Sequence, residues 1–368
     1  MRVTLQNSHR NAQRGFEVRP DQDLLDAALQ AAINLPHSCK GGNCGACRAR
    51  LIRGEIVYPH GTPLGLSGAE AAEGMILMCQ AHARGDVTLE TFEVQPAAEA
   101  VIKRLPCRIE RATAVSHDVM QLFLRLPAAE DFHFQPGQYL DILLPGGRRR
   151  SFSIASPPHD FKPLELHVRR VTGGEFTDKL FHDQTRDALL TIEGPLGQFM
   201  YRESPAPMLL VGGGTGLAPL LSILRHIIES RAAEPSQALQ RDLHLYWGVR
   251  SERDLYARDT LEQLLSKAQR LRKAQRLRKA PGLRYTPVLS EADVEWRGRT
   301  GWVHEAALQD ISDLSGFEVY MAGPPAMISA ARQAFEARGV APAQIFFDSF
   351  DYAPDALERQ RSNAATKS

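Results

Sequence analysis

The sequence lacks an apolar leader: Met1 to Pro20 carries no hydrophobic core of the kind that directs secretion. No stretch has the apolar length that a bilayer-crossing helix needs, so no membrane span is expected. An excess of one charge is missing too. Lys and Arg number 44 against 43 Asp and Glu, and a net of +1 gives no long-range pull towards nucleic acid or a membrane surface. Cysteine is scarce, at 5 in 368 residues, with four falling into one pattern; this argues against a disulfide framework and for a reducing compartment. With 43% hydrophobic and 24% charged residues, the chain reads as a globular protein, cytoplasmic by expectation. Its length predicts two or three domains.

What is present is led by the segment from Pro36 to Cys47. Cys39, Cys44 and Cys47 give Cys-x4-Cys-x2-Cys, and Cys79 follows in Leu77-Met78-Cys79-Gln80. This is the plant-type spacing for a [2Fe-2S] cluster, in which four thiolates hold two irons. Three ligands on one short loop can wrap a small inorganic core, and Gly41, Gly42 and Gly45 leave backbone N–H groups able to face its sulfurs. A zinc knuckle or a disulfide pair is the plainer alternative, but zinc sites favour two separated close pairs. The remaining thiol, Cys107, begins a strand-like stretch and reads as a buried structural cysteine.

Three regions of different periodicity follow one another. Up to about Glu93, Val3-Thr4-Leu5, Phe16-Glu17-Val18 and the stretch Val87 to Phe92 alternate as strands do. Asp23 is placed to cap a helix with Leu25, Ala28, Leu29 and Ala32 on its apolar face, stopped at Asn34-Leu35-Pro36. A stretch at 95–103, poor in large apolar residues, reads as a linker. From Leu105, strict alternation at Met120, Leu122, Leu124 and Leu126 and at Leu164, Leu166 and Val168, with turns at Pro136-Gly137 and Pro145-Gly146, suggests an antiparallel barrel interrupted by one helix from about Thr177 to Phe181. After Pro207, strands at 208–211, 243–249, 285–289, 317–321 and 345–347 alternate with helices after Gly216, from about Asp254, and over 325–338. That order predicts a parallel sheet covered on both faces.

Several short motifs lie at the ends of these elements. Arg150-Ser151-Phe152-Ser153 closes a strand, and Gly173-Gly174-Glu175-Phe176-Thr177 precedes a helix for which Thr177 is the expected N-cap. Gly194-Pro195-Leu196-Gly197-Gln198-Phe199 sits between the second and third regions. Gly212-Gly213-Gly214-Thr215-Gly216-Leu217-Ala218-Pro219 departs from G-x-G-x-x-G, since Leu217 stands where the third glycine would be. It still follows a buried strand and opens a helix, the context a nucleotide pyrophosphate needs. Trp247-Gly248-Val249-Arg250-Ser251-Glu252-Arg253-Asp254-Leu255-Tyr256 follows the next strand, Ala322-Gly323-Pro324-Pro325-Ala326-Met327 a later one, and Phe346-Phe347-Asp348-Ser349-Phe350 comes near the end.

Together these motifs resemble the ferredoxin–NADP reductase superfamily preceded by a plant-type ferredoxin domain. The order resembles reductase components of bacterial mono- and dioxygenases and the CDP-6-deoxy-3,4-glucoseen reductases. The resemblance spans roughly residues 1–350. It implies a β-grasp ferredoxin domain (1–94), a linker (95–103), an antiparallel β-barrel FAD domain (104–204), an α/β parallel-sheet nucleotide domain (205–352) and a polar tail (353–368). It implies metal ligation by Cys39, Cys44, Cys47 and Cys79. Arg150 would meet the flavin pyrophosphate, Phe152 the ring face, and Ser153 the reactive nitrogen; Gly174 and Thr177 would hold the pyrophosphate. Gly213, Gly214, Thr215, Gly216 and Pro219 would form the nicotinamide nucleotide's phosphate turn, with Gly323 and Pro324 beside its ring. Ala322 replaces the family's cysteine, which puts help from a thiol in doubt but not hydride transfer. Asp254 or Glu252 suits a ribose and NADH, whereas Arg250 or Arg253 suits the 2′-phosphate of NADPH; the overall form leans to NADH. Phe350 is the candidate aromatic over the flavin, with core packing the alternative for Phe346 and Phe347. The implied activity is electron flow from NADH through FAD and the [2Fe-2S] cluster to an unidentified redox protein. Diaphorase, free-flavin or ferric reductase, and a redox-sensing module remain alternatives.

One feature stands outside these motifs. Lys267-Ala268-Gln269-Arg270-Leu271-Arg272 repeats at once as Lys273-Ala274-Gln275-Arg276-Leu277-Arg278. Basic runs are usually solvated faces, so the repeat reads as a helix extension rather than a docking patch. Deleting one copy is expected to leave electron transfer to the partner unchanged at both low and high salt; a loss confined to low salt would indicate docking.

Overall fold

The computed structural model describes residues 1–7, 13–33, 35–37, 40–42, 45, 47–59, 61–63, 65–66, 68–91, 102–172, 174–182, 187–233, 241–274 and 282–350. Cys39, Cys44, Gly173, most of the linker, the repeat beyond Ala274 and the tail lie outside the described residues. The chain divides into two compact units, one mainly Met1–Ile102 and the other mainly Lys103–Gly194 with Phe199–Asp348. No described helix is long and apolar enough to cross a membrane.

In the first unit, β1 (Arg2–Asn7) pairs antiparallel with β2 (Gln13–Glu17). Asp23 caps α1 (Leu24–Gln30) as expected, accepting from the Asp26 N–H at 2.8 Å, and Leu24, Leu25, Ala27, Ala28 and Leu29 are buried. Ala32 is not on that face. The helix ends at Ala31, and Ala32 turns out to solvent with φ 58°. Then come β3 (Arg48–Arg53), β4 (Ile56–Val57), α2 (Gly68–Ala72), β5 (Met75–Leu77), β6 (His82–Ala83) and β7 (Val87–Thr91). The five-stranded order is β2-β1-β7-β3-β5. The last strand thus takes the middle of the sheet, parallel to β1 and antiparallel to β3, with Val87, Leu89 and Thr91 buried.

The second unit opens with β8 (Lys103–Ala114), so the sheet begins at the end of the stretch read as linker. It continues through β9 (Val119–Arg125), β10 (Tyr139–Leu143), β11 (Arg149–Ser153), β12 (Leu164–Arg169), α3 (Glu175–His182) and β13 (Leu189–Leu196). Six strands run in the order β11-β10-β13-β8-β9-β12, and an antiparallel bridge from Ile154 to Leu166 joins the two ends of that order. The alternating Met120, Leu122, Leu124, Leu164, Leu166 and Val168 fill its core. Cys107 is buried there, and burial pushes its thiol up to about 12. Helix α3 begins two residues earlier than the sequence suggests, which makes Thr177 its third residue and not its cap.

The same unit contains β14 (Met208–Gly213), α4 (Leu217–Ala233), β15 (Leu243–Val249), α5 (Arg258–Ala274), β16 (Leu283–Leu289), β17 (Arg299–Thr300), α6 (Val303–Asp310), β18 (Glu318–Gly323), α7 (Pro325–Ala337) and β19 (Ile345–Ser349). The strand order is β17-β16-β15-β14-β18-β19, with β14 to β18 in parallel register through the centre. Every residue of β14 is buried, which is why it reads as an unbroken apolar run. Two expectations change. Helix α5 starts at Arg258, because Ser251 to Asp254 close a 3₁₀ turn first, and α6 has no counterpart in the sequence reading. The first copy of the basic repeat continues α5, burying Ala268 and joining Lys267 to Glu229 at 3.2 Å.

The polar face of β12 meets the nucleotide half of this unit. Glu165, 7% exposed, accepts from Arg225 of α4 at 2.5 Å and from His167 at 2.9 Å. Ser222 of α4 donates to the Ser156 carbonyl at 2.6 Å, and Ser156 in turn accepts from the Glu165 N–H. Burial alone would raise the Glu165 pKa; the His167 ring and the Arg225 guanidinium outweigh it and bring it down to about 2. A carboxyl held below its ordinary value contributes stability above about pH 4.5 and loses it as pH falls towards 2. Glu165→Gln is therefore expected to cost about 3 kcal/mol near neutral pH. Thermal melts of the variant and the parent should converge as the pH is lowered below 4.5.

Candidate functional site

In the first unit, Cys47 and Cys79 are buried thiols not joined in a disulfide. The loop leading to Cys47 is tied down at several points. Arg48 donates to the Gly45 carbonyl at 2.7 Å, to the Gly65 carbonyl at 2.8 Å and to Glu70 at 2.9 Å. Gln80 donates to the Lys40 carbonyl at 3.0 Å, and the Met78 N–H to the Cys47 carbonyl at 3.1 Å. Gly45 has φ +71°, which favours glycine, and a Cβ there would displace the Arg48 guanidinium, 1.8 Å away, from the carbonyls it binds. The Tyr58 hydroxyl accepts from the Leu77 N–H, beside the two thiols. Cys39 and Cys44 lie outside the described residues.

In the second unit, β11 carries the first flavin motif. Phe152 packs its ring 5.7 Å from that of Phe176 on α3. Arg148 is joined to Glu175, and Arg149 to Asp141 and Glu193, while Arg150 donates to the Arg149 carbonyl at 2.8 Å. The Ser153 hydroxyl donates to Asp348 at 3.3 Å, and Asp348 is only 5% exposed. The sequence reading passed over Asp348; an acid set among apolar residues at a strand end was the available signal. Thr177 Oγ1 accepts from the Val171 N–H and donates to the Val171 carbonyl, both at 3.1 Å. It closes the turn before α3 from inside. A Cβ on Gly174 would sit 2.5 Å from that hydroxyl.

The nucleotide turn leaves the end of β14. Gly214 (φ +55°), Thr215 and Gly216 form a 3₁₀ turn that runs straight into α4. A Cβ on Gly216 would stand 2.0 Å from the Ala322 carbonyl, and one on Gly213 2.6 Å from Met327 Sδ. Gly323, at φ +156°, faces Gly213 across the same gap. These glycines let two strand-end loops touch. Gly214 and Thr215 remain partly exposed, Pro219 is buried in α4, and Pro324 is exposed before α7. Asp254 does not lie open to a ribose. Its carboxylate accepts the N–H and hydroxyl of Ser251 at 2.9 Å each, faces His117 at 3.6 Å, and is 8% exposed. Glu252 is exposed and paired with Arg258 at 2.8 Å; Arg250 and Arg253 are exposed. Phe346 stacks near Tyr320 (4.8 Å) and Phe347 packs on the sheet core, while Phe350 is half-buried.

Three family descriptions match the chain in order. These are the 2Fe-2S iron-sulfur cluster binding domain over residues 8–84, the oxidoreductase FAD-binding domain over 106–201 and the oxidoreductase NAD-binding domain over 210–333. CDP-6-deoxy-L-threo-D-glycero-4-hexulose-3-dehydrase reductase of Yersinia pseudotuberculosis is 37% identical over 327 residues, 89% of this chain and 92% of that protein. The chain belongs to the ferredoxin–NAD(P)H reductase superfamily. The propane 2-monooxygenase reductase component of Mycolicibacterium smegmatis is a further relative, 32% identical over 91% of this chain and 94% of its own length. Among solved structures, the cytochrome P450 reductase GcoB of Amycolatopsis superposes with a TM-score of 0.73 at 32% identity, covering 95% of this chain and 98% of that one.

As an iron–sulfur flavoprotein of this superfamily, the chain is an NAD(P)H-dependent oxidoreductase with a [2Fe-2S] cluster, FAD and a nicotinamide nucleotide. Its residues fit those groups: two buried thiols beside a glycine-shaped loop, and a phosphate turn with no room for a side chain at Gly216. Gly216→Ala is expected to abolish measurable NAD+ binding in a titration of the FAD-loaded protein while leaving its flavin content unchanged, because the added carbon would force the loop off Ala322.

Proposed function

We propose that this reductase uses NADH and delivers single electrons to a separate redox protein, a sugar dehydrase or an oxygenase component. When bound, FAD would supply hydride acceptance from the nicotinamide and the cluster one-electron transfer onward, the chain's own residues binding and orienting them. The observation that carries this reading is the hydrogen bond from Ser153, at the end of β11, to Asp348, near the end of β19. It brings the flavin strand and the nucleotide sheet to one point, where hydride transfer needs two rings aligned.

In this reading the ferredoxin segment is a β-grasp (1–94), joined by the linker 95–103 to a β-barrel flavin domain (104–204), the nucleotide domain (205–352) and a tail (353–368). Arg150 pairs with the flavin pyrophosphate and Phe152 covers one face of its ring. Asp348 fixes the rotamer of Ser153, whose hydroxyl faces the reacting nitrogen. Gly174 and Thr177 shape the turn that presents the first N–H groups of α3 to phosphate. Gly213, Gly216 and Gly323 bring two loops together, so that Gly214 and Thr215 offer their amides to the nucleotide, with Pro219 and Pro324 fixing the helix starts. Phe350 covers the flavin where nicotinamide enters. Cys39, Cys44, Cys47 and Cys79 would hold the cluster; plant-type clusters sit near about −400 mV, low enough to reduce many acceptors. NADH is favoured by the Gly248-x-Arg250…Asp254-Leu255-Tyr256 form, with Asp254 or the exposed Glu252 as the acid for a ribose. A dehydrase acceptor is supported by the 37% identity to the Yersinia reductase. The reducing compartment that thiolates require supports a cytoplasmic location.

Cys44→Ser tests the electron path. The variant is expected to keep NADH-dependent ferricyanide reduction and to lose reduction of one-electron protein acceptors such as cytochrome c. Survival of both activities would rule out passage through the cluster.

A further inference from the structure

The chain of contacts that begins at Glu165 does not stop at Arg225. His167, whose side chain is fully buried, donates through Nε2 to the Glu165 carboxylate, which can only accept. Its other ring nitrogen, Nδ1, meets the Tyr256 hydroxyl at 2.9 Å. Burial keeps this phenol protonated and so a donor. The Tyr256 ring meets Trp247 edge-on, 5.2 Å between centroids at 88°. Trp247 is wholly buried and donates from Nε1 to the Gly214 carbonyl at 2.8 Å.

The last bond bears on the phosphate turn through peptide geometry. A trans peptide points its C=O and N–H in opposite directions. Holding the Gly214 carbonyl inward on Trp247 therefore aims the Thr215 N–H outward, at the partly exposed mouth of the turn. We infer that Tyr256 is a positioning residue for the nicotinamide nucleotide: with His167 it braces Trp247, so that β12 of the flavin half sets the direction of the Thr215 amide. The inference deepens the reading of the chain as an NADH-oxidising reductase and rests on it. It also gives a role to the polar residues of β12, whose alternation with Leu164, Leu166 and Val168 would otherwise suit a solvated face.

Two variants test it in the FAD-loaded, full-length protein. Tyr256→Phe keeps the ring but takes away the donor to His167; Trp247→Phe keeps an aromatic but removes the donor to Gly214. Losing one net hydrogen bond corresponds to about a fivefold change in affinity. Each variant is expected to bind NAD+ at least that much more weakly by calorimetry, and to raise the KM for NADH while kcat for ferricyanide reduction changes less than twofold. Tyr246→Phe is the control. It loses a bond of similar kind, to Asp310, from the opposite face of the same strand. A general loss of stability would lower the melting temperature of all three variants without moving NAD+ affinity. If Tyr256→Phe and Trp247→Phe both bind NAD+ within twofold of the parent, the inference is overturned and the proposed function stands. A parent protein that binds neither NAD+ nor NADP+ would overturn both.

Discussion

A carboxylate buried in a seam between a strand and a helix must be partnered or protonated, and Glu165 on β12 has two partners, His167 beside it and Arg225 on α4. The flavin strands and the nucleotide sheet form one compact unit around that charge. Removing either partner would leave the other buried and unsatisfied, so the seam favours one arrangement and penalises sliding. Everything that hydride transfer needs from this chain depends on such a fixed seam, because a misplacement of about an ångström between reacting groups is costly in rate. The serine hydroxyls of Ser156 and Ser222 reinforce it with backbone partners, which adds direction without adding charge.

Glycine does complementary work at the strand ends. Gly213, Gly216 and Gly323 each lie where a methyl group would collide with backbone or with Met327. The loops after β14 and β18 can therefore close to van der Waals distance, and Gly214 and Thr215 are the residues of the 3₁₀ turn left partly exposed. The motif that looks like one phosphate-binding unit in the sequence separates into residues that pack and residues that are accessible.

Much of this was legible before the coordinates. The wholly buried β14, the Asp23 cap and the alternation in β9 and β12 follow from local chemistry, which a sequence displays directly. Failures occurred where a local cue had a nearer competitor or a distant partner. Asp254 looked like the start of a helix and a ribose ligand, but its carboxylate closes a turn with Ser251, three residues away. Thr177 looked like a cap, but its hydroxyl closed the preceding turn on Val171. Helix α6 carries no side-chain cap at Trp302 and only a narrow apolar stripe, so its start left little trace. The polar residues of β12 gave the most misleading signal. Glu165 and His167 alternate with leucines as a solvated face would, yet the residues that bury them come from α4 and Tyr256, far along the chain.

Cys107 has a consequence for how the protein acquires its iron. Only a thiolate is a good ligand or nucleophile, and burial holds this thiol protonated far above neutral pH. It is therefore a poor rival for iron delivered during assembly and a poor target for oxidants. The folded core around β8 itself keeps this thiol out of sulfur chemistry, with no partner needed to shield it.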